Sequence, residues 1–562
     1  MKKLINNPRN VVREMLEGQV ALNPNQALLA NEDVVVQANL PEPRKRPVAV
    51  LSGGGSGHEP AHAGYVGEGM LTAAIAGDVF TSPSVDAVIA AIRASAGPSG
   101  AVLIVKNYTG DRLNFGLAAE LAASEGIPTE VIVVADDAAL REIVEPERRR
   151  GIAGTILVHK VAGAAATAGA DLASVVSEAR ETAAALATMG VALGSCTVPA
   201  AGRPGFSLGE EEMELGLGIH GEQGVRRVPI APADEIVDTI LQTLITDKAL
   251  ALGSRVALLV NGLGGTPPME LAIVARRALQ VLRERGLNVE RAWCGSFMTA
   301  LEMPGMSLSL LSVDDGRLAR LDATTGAPAW PGGGLVAESR IIGLEALGAQ
   351  AASYPDPGPL APVLKKIGLA VASALERQEA MLTELDSRTG DGDLGISMVR
   401  GATAIRALPD ESWANPAFAF TSMSNALRKA IAGSSGPFYA VALMRAAREL
   451  DAAAPDRSAW ARAFAKAVAS VSELGGAKPG DRTMLDALQP AADAFTTALD
   501  HGLSLHDAWE KAVAAAEQGV KATTSMRPRL GRAAYLGDRA LGHPDAGASA
   551  VLVWMRAIIE ES

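Results

Sequence analysis

The chain has 562 residues, 48% of them hydrophobic and 20% charged, and its formal net charge is −12. This length suits several domains with large cores, and the negative charge argues against a surface that binds nucleic acid. Cys196 and Cys294 lack CxxC spacing, and no stretch approaches the about 18 apolar residues that span a bilayer. We therefore expect no zinc or disulfide framework, no membrane partner and a cytoplasmic protein.

Up to about residue 330, short apolar runs end in Gly, Asn or Asp and precede helix-like stretches. Such runs occupy residues 48–51, 101–105, 130–134 and 256–260. This alternation predicts buried strands in α/β layers, where ligands bind beyond the carboxyl ends of the strands. The alanine-rich residues 160–189 predict a helix between two α/β lobes, with an internal boundary near residue 190.

Two polar segments follow the first two of these runs. Residues 53–60, GGGSGHEP, predict a loop whose backbone N–H groups converge on an anion or polar ligand, although a structural turn explains the glycines equally well. The segment lacks the GxxxxGK[ST] ending of a P-loop. The second loop offers Lys106, Asn107 and Asp111, and by itself Asp111 is also typical of a turn.

His220 lies in a third glycine-framed segment, GLGIHGEQG, residues 216–224. A glycine-flanked histidine is commonly a loop hydrogen-bonder, but a neutral imidazole with little bulk around it can also attack a ketone. His62 and His159 are assigned structural roles.

Glycine and proline become frequent between residues 325 and 362, which indicates a linker. We assign residues 1–335 to an α/β domain, residues 336–361 to the linker and residues 362–562 to a second domain. Beyond the linker, apolar residues recur with helical spacing, so the second domain is predicted to be all helical.

Three carboxylates, Asp386, Asp391 and Asp393, occur within eight residues among glycines. Such oxygen ligands suit Mg²⁺, which completes its octahedron with nucleotide phosphates and water. A solvated acidic loop or a calcium site remains open as an alternative, although the terminal glutamate of an EF-hand is absent.

Further glycine-rich loops follow in the helical domain. They contain the pair Ser434 and Ser435, the segment from Gly475 to Met484, and a C-terminal segment with Arg532 and Asp545. Each of these loops alone is explained by a helix cap.

Taken in order, these motifs resemble the single-chain ATP-dependent dihydroxyacetone kinases, over nearly the whole chain. The resemblance implies a multidomain protein in which a two-lobed α/β substrate domain precedes an all-α antiparallel eight-helix barrel that binds nucleotide. It also implies a homodimer that phosphorylates dihydroxyacetone to dihydroxyacetone phosphate.

For the acceptor, the resemblance implies that His220 holds the ketone as a covalent hemiaminal. It also implies that Asp111 takes the proton of the reacting hydroxyl and that His58 assists by hydrogen bonding or proton transfer. The implied substrate contacts are Gly55, Ser56, Gly57, His58, Lys106 and Asp111.

For the donor, the resemblance implies ATP and two Mg²⁺ ions held by Asp386, Asp391 and Asp393. The implied nucleotide contacts are Leu394, Gly395, Ile396, Ser397, Ser434, Ser435, Gly475, Met484, Arg532, Asp545 and Gly547.

Other functions stay open at this point. A kinase for D- or L-erythrulose would use the same hydroxyketone chemistry. Residues 537–545 are similar to separate subunits recharged by a phosphotransferase protein, although Ala546 replaces their usual proline and Ser387 begins an unusual spacer between the first two aspartates. A non-catalytic ligand sensor is a further alternative, and the sequence neither supports nor excludes a flavin cyclase activity.

Overall fold

The structure is a computed structural model that describes residues 2–222, 224–339, 341–342, 354–450 and 455–560, without the side chains of Arg532 and Leu536. The chain divides into two units, Met1–Ile341 and Ile342–Ser562. Part of the predicted linker, residues 340 and 343–353, lies outside the described residues, so the domain boundaries at 335 and 362 stay predictions. None of the described helices combines the length and apolar character needed to cross a membrane.

The first lobe of unit 1 is built on a six-stranded sheet. Its strands are β1 Gln26–Leu28, β2 Val34–Gln37, β3 Ala49–Ser56, β4 Ala73–Val79, β5 Ala101–Lys106 and β6 Thr129–Val134. They lie in the order β1-β2-β4-β3-β5-β6, and the last four of these are parallel. Every residue of β3 and β5 is buried, because helices cover both faces of the sheet.

The helices of this lobe are α1 Val11–Leu22, α2 Val85–Ser95, α3 Thr109–Ser124, α4 Thr155–Thr167 and α5 Leu172–Ala184. Side chains of α2 and α3 pack on one face of the sheet. Those of α4 and α5 belong to a core that also contains Val102 of the first sheet and Leu259 of the second. The two lobes of unit 1 therefore share one hydrophobic core.

The second lobe contains a second six-stranded sheet. Its strands are β7 Leu186–Ala192, β8 Glu212–Leu215, β9 Arg226–Pro229, β10 Arg255–Gly262, β11 Asn288–Gly295 and β12 Gly305–Ser312, with helices α6 Ala233–Asp247, α7 Pro268–Glu284 and α8 Asp315–Asp322. The order is β11-β10-β12-β7-β8-β9, and β10 and β11 form the parallel pair. The other neighbours are antiparallel.

The prediction of one helix over residues 160–189 is wrong, because this range contains the end of α4, then α5 and the start of β7. The chain turns at Gly169, whose φ of 83° favours glycine, and Asp171 caps α5 by accepting the N–H of Ser174 at 2.9 Å. Alanine-rich composition conceals the change, since the small side chains also suit the fully buried β7. The predicted internal boundary at residue 190 falls inside this strand.

Unit 2 is helical, as predicted. Its α-helices are α9 Ala361–Arg377, α10 Glu379–Thr389, α11 Leu394–Arg406, α12 Pro416–Ala430, α13 Ser435–Glu449, α14 Arg457–Gly475, α15 Leu485–Asp500, α16 Leu505–Thr523 and α17 Ala546–Ile559. A 3₁₀ helix, Arg532–Ala540, lies between the last two. Only Gln378 separates the end of α9 from the start of α10.

From α11 onward each helix packs against the next, and α17 packs against α9, which also contacts α11. Apart from α10, the helices therefore close a ring of eight, and their short connections make it the predicted antiparallel barrel. Side-chain caps start several of them, among them Asn415, Asp456 and Ser504. The ring encloses an apolar cavity of about 600 Å³, so its own side chains do not fill its interior.

Candidate functional site

Four residues of unit 1 that are predicted to bind the phosphoryl acceptor come from three segments. His58 follows β3, and Lys106 ends β5, which is the parallel neighbour of β3. Carboxyl ends of parallel neighbours lie at the same edge of a sheet. Asp111 follows in the first turn of α3, and His220 arrives from the second lobe on the connection between β8 and β9.

His58 is buried, and its two ring nitrogens differ. Nδ1 lies 2.7 Å from the carbonyl oxygen of Thr299, which can only accept, so Nδ1 carries the proton. Nε2 is buried without a hydrogen-bond partner among the described residues. Burial, together with His220 and Lys106, holds the pKa of His58 well below its usual value. His58 is therefore a neutral imidazole whose Nε2 can accept a hydrogen bond.

His220 is fixed by Glu222, two residues further along the same connection. Nδ1 of His220 lies 2.8 Å from Oε1 of Glu222, and its backbone N–H donates to Oε2 at 3.0 Å. Burial raises the pKa of Glu222, but its hydrogen bonds with the His220 ring and with backbone N–H groups outweigh this effect and lower it. An ionised Glu222 favours the proton on Nδ1, which leaves Nε2 as the nitrogen able to act as a nucleophile or base.

Three rings surround the imidazole of His220. The ring centroids of His58, Phe80 and Tyr108 lie 4.8, 5.3 and 4.5 Å from it. The hydroxyl of Tyr108 is buried and lacks a hydrogen-bond partner within the described part of the chain. These rings limit the approach of water and of large ligands to His220.

Lys106 and Asp111 are the other two residues predicted to bind the phosphoryl acceptor. Nζ of Lys106 lies 3.9 Å from Oδ2 of Asp111, and both side chains are buried. Burial lowers the pKa of Lys106, and the charge of Asp111 acts in the opposite direction. A Cβ on Gly54 would lie 2.4 Å from Nζ of Lys106, so only glycine leaves room for the lysine.

The glycine run after residue 52 is not the predicted loop, because residues 53–56 complete β3 and pair with β4. The hydroxyl of Ser56 donates to the carbonyl oxygen of Gly77 at 2.7 Å, and the N–H of Gly57 donates to Oε1 of Glu59 at 3.0 Å. A Cβ on Gly55 would lie 2.6 Å from the carbonyl carbon of Phe80. These glycines therefore allow close backbone packing beside the acceptor group.

Sequence reasoning missed Glu222 and left Tyr108 without a role. Glu222 lies in the same glycine-framed segment as His220, and its position two residues after the histidine is the available sequence signal. An acidic residue in a glycine-rich loop is usually solvated, and only the fold shows that it bonds the imidazole.

The residues of unit 2 that are predicted to bind the nucleotide and Mg²⁺ lie at one end of the barrel. They occupy the connections α10–α11, α12–α13, α14–α15 and α16–α17, together with adjoining helix ends. In an antiparallel ring, alternate connections share an end. The 3₁₀ helix Arg532–Ala540 and α17 both contact α10, which agrees with this arrangement.

Asp386, Asp391 and Asp393 each offer a carboxylate oxygen, and these oxygens lie within 4.8 Å of one another. Oδ2 of Asp386 accepts the N–H groups of Asp393 and Leu394 at 3.0 and 3.2 Å. A Cβ on Gly390 would lie 2.3 Å from Oδ1 of Asp386. Three hard oxygen donors in this space fit Mg²⁺.

The predicted contacts at the start of α11 differ in exposure. Ile396 is exposed, whereas Gly395 and Ser397 are buried. A Cβ on Gly395 would lie 2.1 Å from Oγ1 of Thr383, so glycine allows α11 to pack against α10. Leu394 presents its backbone N–H to Asp386.

The remaining candidates mark helix ends. Ser434 and Ser435 stand at the N-terminus of α13, Gly475 ends α14, and Met484 precedes α15. The N-terminus of α13 offers unpaired backbone N–H groups that suit an anion.

Asp545 caps α17 by accepting the N–H of Ala548 at 2.8 Å. Burial raises the pKa of Asp545 to about 6, and the charges of Asp486 and Asp386 contribute in the same direction. Gly547 lies beside Met484, since its Cβ would be 3.7 Å from that of the methionine. The side chain of Arg532, also predicted to contact nucleotide, lies outside the described residues.

Comparison with known proteins covers both units. Residues 17–329 match the Dak1 domain, and residues 388–560 match the DAK2 domain. The human protein named Triokinase/FMN cyclase is 44% identical over 576 residues, covering 100% of this chain and 99% of the relative. The D-erythrulose kinase of Mycolicibacterium smegmatis is 36% identical, covering 100% of this chain and 98% of the relative. The crystal structure of the dihydroxyacetone kinase from C. freundii in complex with AMP-PNP and Mg²⁺ is 34% identical, covers 100% of both chains and has a TM-score of 0.64.

Proposed function

Since this chain belongs to the dihydroxyacetone kinase family, we propose that it transfers the γ-phosphoryl group of ATP to a hydroxyl of a short ketose, with dihydroxyacetone as the first candidate. One observation carries the proposal. The neutral His58 presents a buried Nε2, without a partner in the described part of the chain, beside a His220 whose Nδ1 is taken by Glu222. Two such nitrogens next to Lys106 and Asp111 suit a small carbonyl compound that carries hydroxyls.

The proposed capture step uses Nε2 of His220 as a nucleophile. Nε2 bonds to the carbonyl carbon, the π electrons move to the oxygen, and the alkoxide takes a proton from solvent. The Nδ1 proton passes to Glu222, which releases it to solvent, so the net product is a neutral hemiaminal. Glycerol has no carbonyl carbon and cannot be captured in this way.

The proposed transfer step uses Asp111 as the base for the hydroxyl that attacks phosphorus. Lys106 donates to a substrate oxygen, and Nε2 of His58 accepts from a substrate hydroxyl. Little covalent chemistry is required of the protein, because phosphoryl transfer depends mainly on positioning and charge stabilisation.

For the donor we propose ATP, with two Mg²⁺ ions held by Asp386, Asp391 and Asp393. Bound Mg²⁺ neutralises charge on the phosphates. The start of α13 at Ser434 and Ser435 would add backbone N–H groups to the phosphate site. The structure of the C. freundii relative in complex with AMP-PNP and Mg²⁺ supports ATP, rather than a phosphotransferase protein, as the donor.

A second candidate is a kinase for D- or L-erythrulose. The D-erythrulose kinase relative is 36% identical over the whole chain, and its named substrate is also a hydroxyketone. One more hydroxymethylene group changes the length of the ligand but not the capture chemistry on His220.

The test is ADP release from the purified protein with ATP, Mg²⁺ and, in parallel, dihydroxyacetone, D-erythrulose, L-erythrulose, glyceraldehyde and glycerol. Turnover with a ketose but not with glycerol supports the proposal, and the largest kcat/KM names the substrate. Binding of a ketose without phosphoryl transfer from ATP would instead support a sensor or a protein donor. A parallel arm with flavin adenine dinucleotide tests for cyclase activity, and light scattering tests the predicted homodimer.

A further inference from the structure

Lys106 contacts a buried histidine that is not among the residues predicted to bind substrate. Nζ of Lys106 lies 2.8 Å from Nε2 of His62 and 3.0 Å from the carbonyl oxygen of Gly53. Lys106 is 0% exposed and His62 is 6% exposed. An ammonium group has three N–H donors and no acceptor, so these two contacts occupy two of the three.

The third donor of Lys106 is the one that matters for a ligand. Gly53 and His62 accept two of the three N–H donors, so one donor remains, and Oδ2 of Asp111 lies 3.9 Å from Nζ. A lysine side chain is flexible and presents a point charge, so its direction must be set by its surroundings.

The surroundings of His62 define which of its nitrogens accepts. Nδ1 faces the hydroxyl oxygen of Ser52 at 3.5 Å, and that hydroxyl donates its own hydrogen to the carbonyl oxygen of Ile104 at 2.6 Å. The oxygen of Ser52 is therefore an acceptor for the Nδ1 hydrogen, and Nε2 is left unprotonated for Lys106. Burial and the nearby Lys106 lower the pKa of His62 well below its usual value, which agrees with a neutral ring.

We propose that His62 is a positioning residue for Lys106: its Nε2 accepts one N–H of the ammonium group and so directs another toward the ketose and Asp111. This inference rests on the proposed function and adds one residue to its acceptor site. It replaces the purely structural role that the sequence suggested for His62.

The competing explanation is that His62 only fills space in the core. His159 provides the matched comparison, because it is also a buried histidine and its ring centroid lies 5.2 Å from that of His62. Neither ring nitrogen of His159 has a hydrogen-bond partner among the described residues. Replacement of His159 therefore disturbs the same core without removing the acceptor of Lys106.

The experiment compares kcat and KM for dihydroxyacetone in the full-length wild type, His62→Leu, His62→Gln, His159→Leu, Lys106→Met and the double variant His62→Leu/Lys106→Met. We expect His62→Leu to raise KM at least about tenfold, because the ammonium group loses its acceptor. We expect His62→Gln to stay within about threefold of wild type, because its amide oxygen can accept from Lys106. For His159→Leu we expect KM within about twofold of wild type.

The double variant separates positioning from packing. If His62 acts through Lys106, His62→Leu should cost less than about twofold in the Lys106→Met background. An equal cost in both backgrounds, or an unchanged KM in His62→Leu, overturns the proposal. If His62→Leu does not accumulate as folded protein, His62→Met takes its place in both backgrounds.

Ketose binding in the absence of ATP, measured by calorimetry on the same variants, distinguishes failure of this inference from failure of the proposed function. A wild type that binds ketose but does not phosphorylate it contradicts the kinase function, while the ratios of Kd still test His62. A wild type that neither binds nor phosphorylates any ketose overturns both.

Discussion

Glu222 holds His220 through both of its carboxylate oxygens, one 2.8 Å from the ring Nδ1 and the other 3.0 Å from the backbone nitrogen of the same histidine. The carboxylate thus fixes the ring tautomer and the backbone position together. A residue that does both is expected to affect the capture of the ketose more than the transfer of phosphoryl.

Replacement of Glu222 by Gln should weaken ketose capture. The neutral amide keeps the shape of the side chain but cannot take the Nδ1 proton, and a hydrogen bond to a charged group is worth about 1.5–3 kcal/mol. We expect KM for dihydroxyacetone to rise by about 10- to 100-fold. With [2-¹³C]dihydroxyacetone, NMR should show less of the tetrahedral carbon signal. The exposed Glu210 offers the control Glu210→Gln, and an unchanged signal in Glu222→Gln would contradict the role of Glu222.

Asp111 and His220 should separate in their kinetic effects. Asp111→Asn is expected to lower kcat by at least about 100-fold with KM near that of wild type, because general base catalysis contributes about 10²–10⁴-fold. His220→Ala is expected mainly to raise KM. Steady-state assays with dihydroxyacetone measure both effects, and an unchanged kcat in Asp111→Asn would exclude it as the base.

Gly390→Ala should impair the carboxylate cluster without removing a carboxylate. The new Cβ would lie 2.3 Å from Oδ1 of Asp386, so the side chain or the turn must move. We expect the Mg²⁺ concentration for half-maximal activity to rise about tenfold or more, with the melting temperature of unit 2 little changed. Ser387→Ala, in the last turn of helix α10, serves as a control, because the Ser387 hydroxyl bonds only to the carbonyl of Glu384 among the described contacts. Equal Mg²⁺ dependence in Gly390→Ala and wild type would contradict a metal site at Asp386.

His159→Leu should reduce the pH dependence of the stability of unit 1. Burial, together with Lys106, lowers the pKa of His159 to about 3, against an ordinary value of about 6.5 in the unfolded chain. Below pH 6.5 the unfolded state binds a proton that the folded state does not. The stabilising contribution is therefore present above pH 6.5 and is lost as pH falls toward 3.

Between pH 7.5 and 5.5, wild type should lose about 1.4 kcal/mol of unfolding free energy relative to His159→Leu. Hydrogen exchange of peptides from α4 and β3 measures this difference within unit 1. A difference between the two proteins that stays constant over this pH range would show that His159 does not titrate in this way.

The sequence predicted the layered α/β unit and the helical unit because both depend on patterns of burial. The strand runs at residues 101–105 and 130–134 agree with β5 and β6 within one residue at each end. β5 is fully buried and reads as a continuous apolar run, whereas β6 is only partly buried and is marked by its run of valine and isoleucine. Residues 53–56 were missed as strand because glycines carry no such signal, and their pairing with β4 is a long-range effect.

The structure brings together the residues predicted to bind the phosphoryl acceptor, but the hydrogen-bond partners of these residues could not be predicted. His58, Lys106 and Asp111 stand out as polar residues near strand ends, whereas the acceptor of Lys106 is a histidine 44 residues away in sequence. Which nitrogen of His58 is free depends on Thr299, from the second lobe. Such pairings are set by tertiary packing rather than by local pattern.

Alternation of the connections around the helical ring leaves a second end without the candidate ligand groups. Helix α15, Leu485–Asp500, is about 24 Å long at 1.5 Å per residue, and it separates Met484 from the short turn at residues 501–504. That turn contains Gly502, which is exposed. This turn is therefore a suitable place for new chain termini made by circular permutation. A fluorophore attached through a cysteine at this turn would report on the barrel without contacting the nucleotide site.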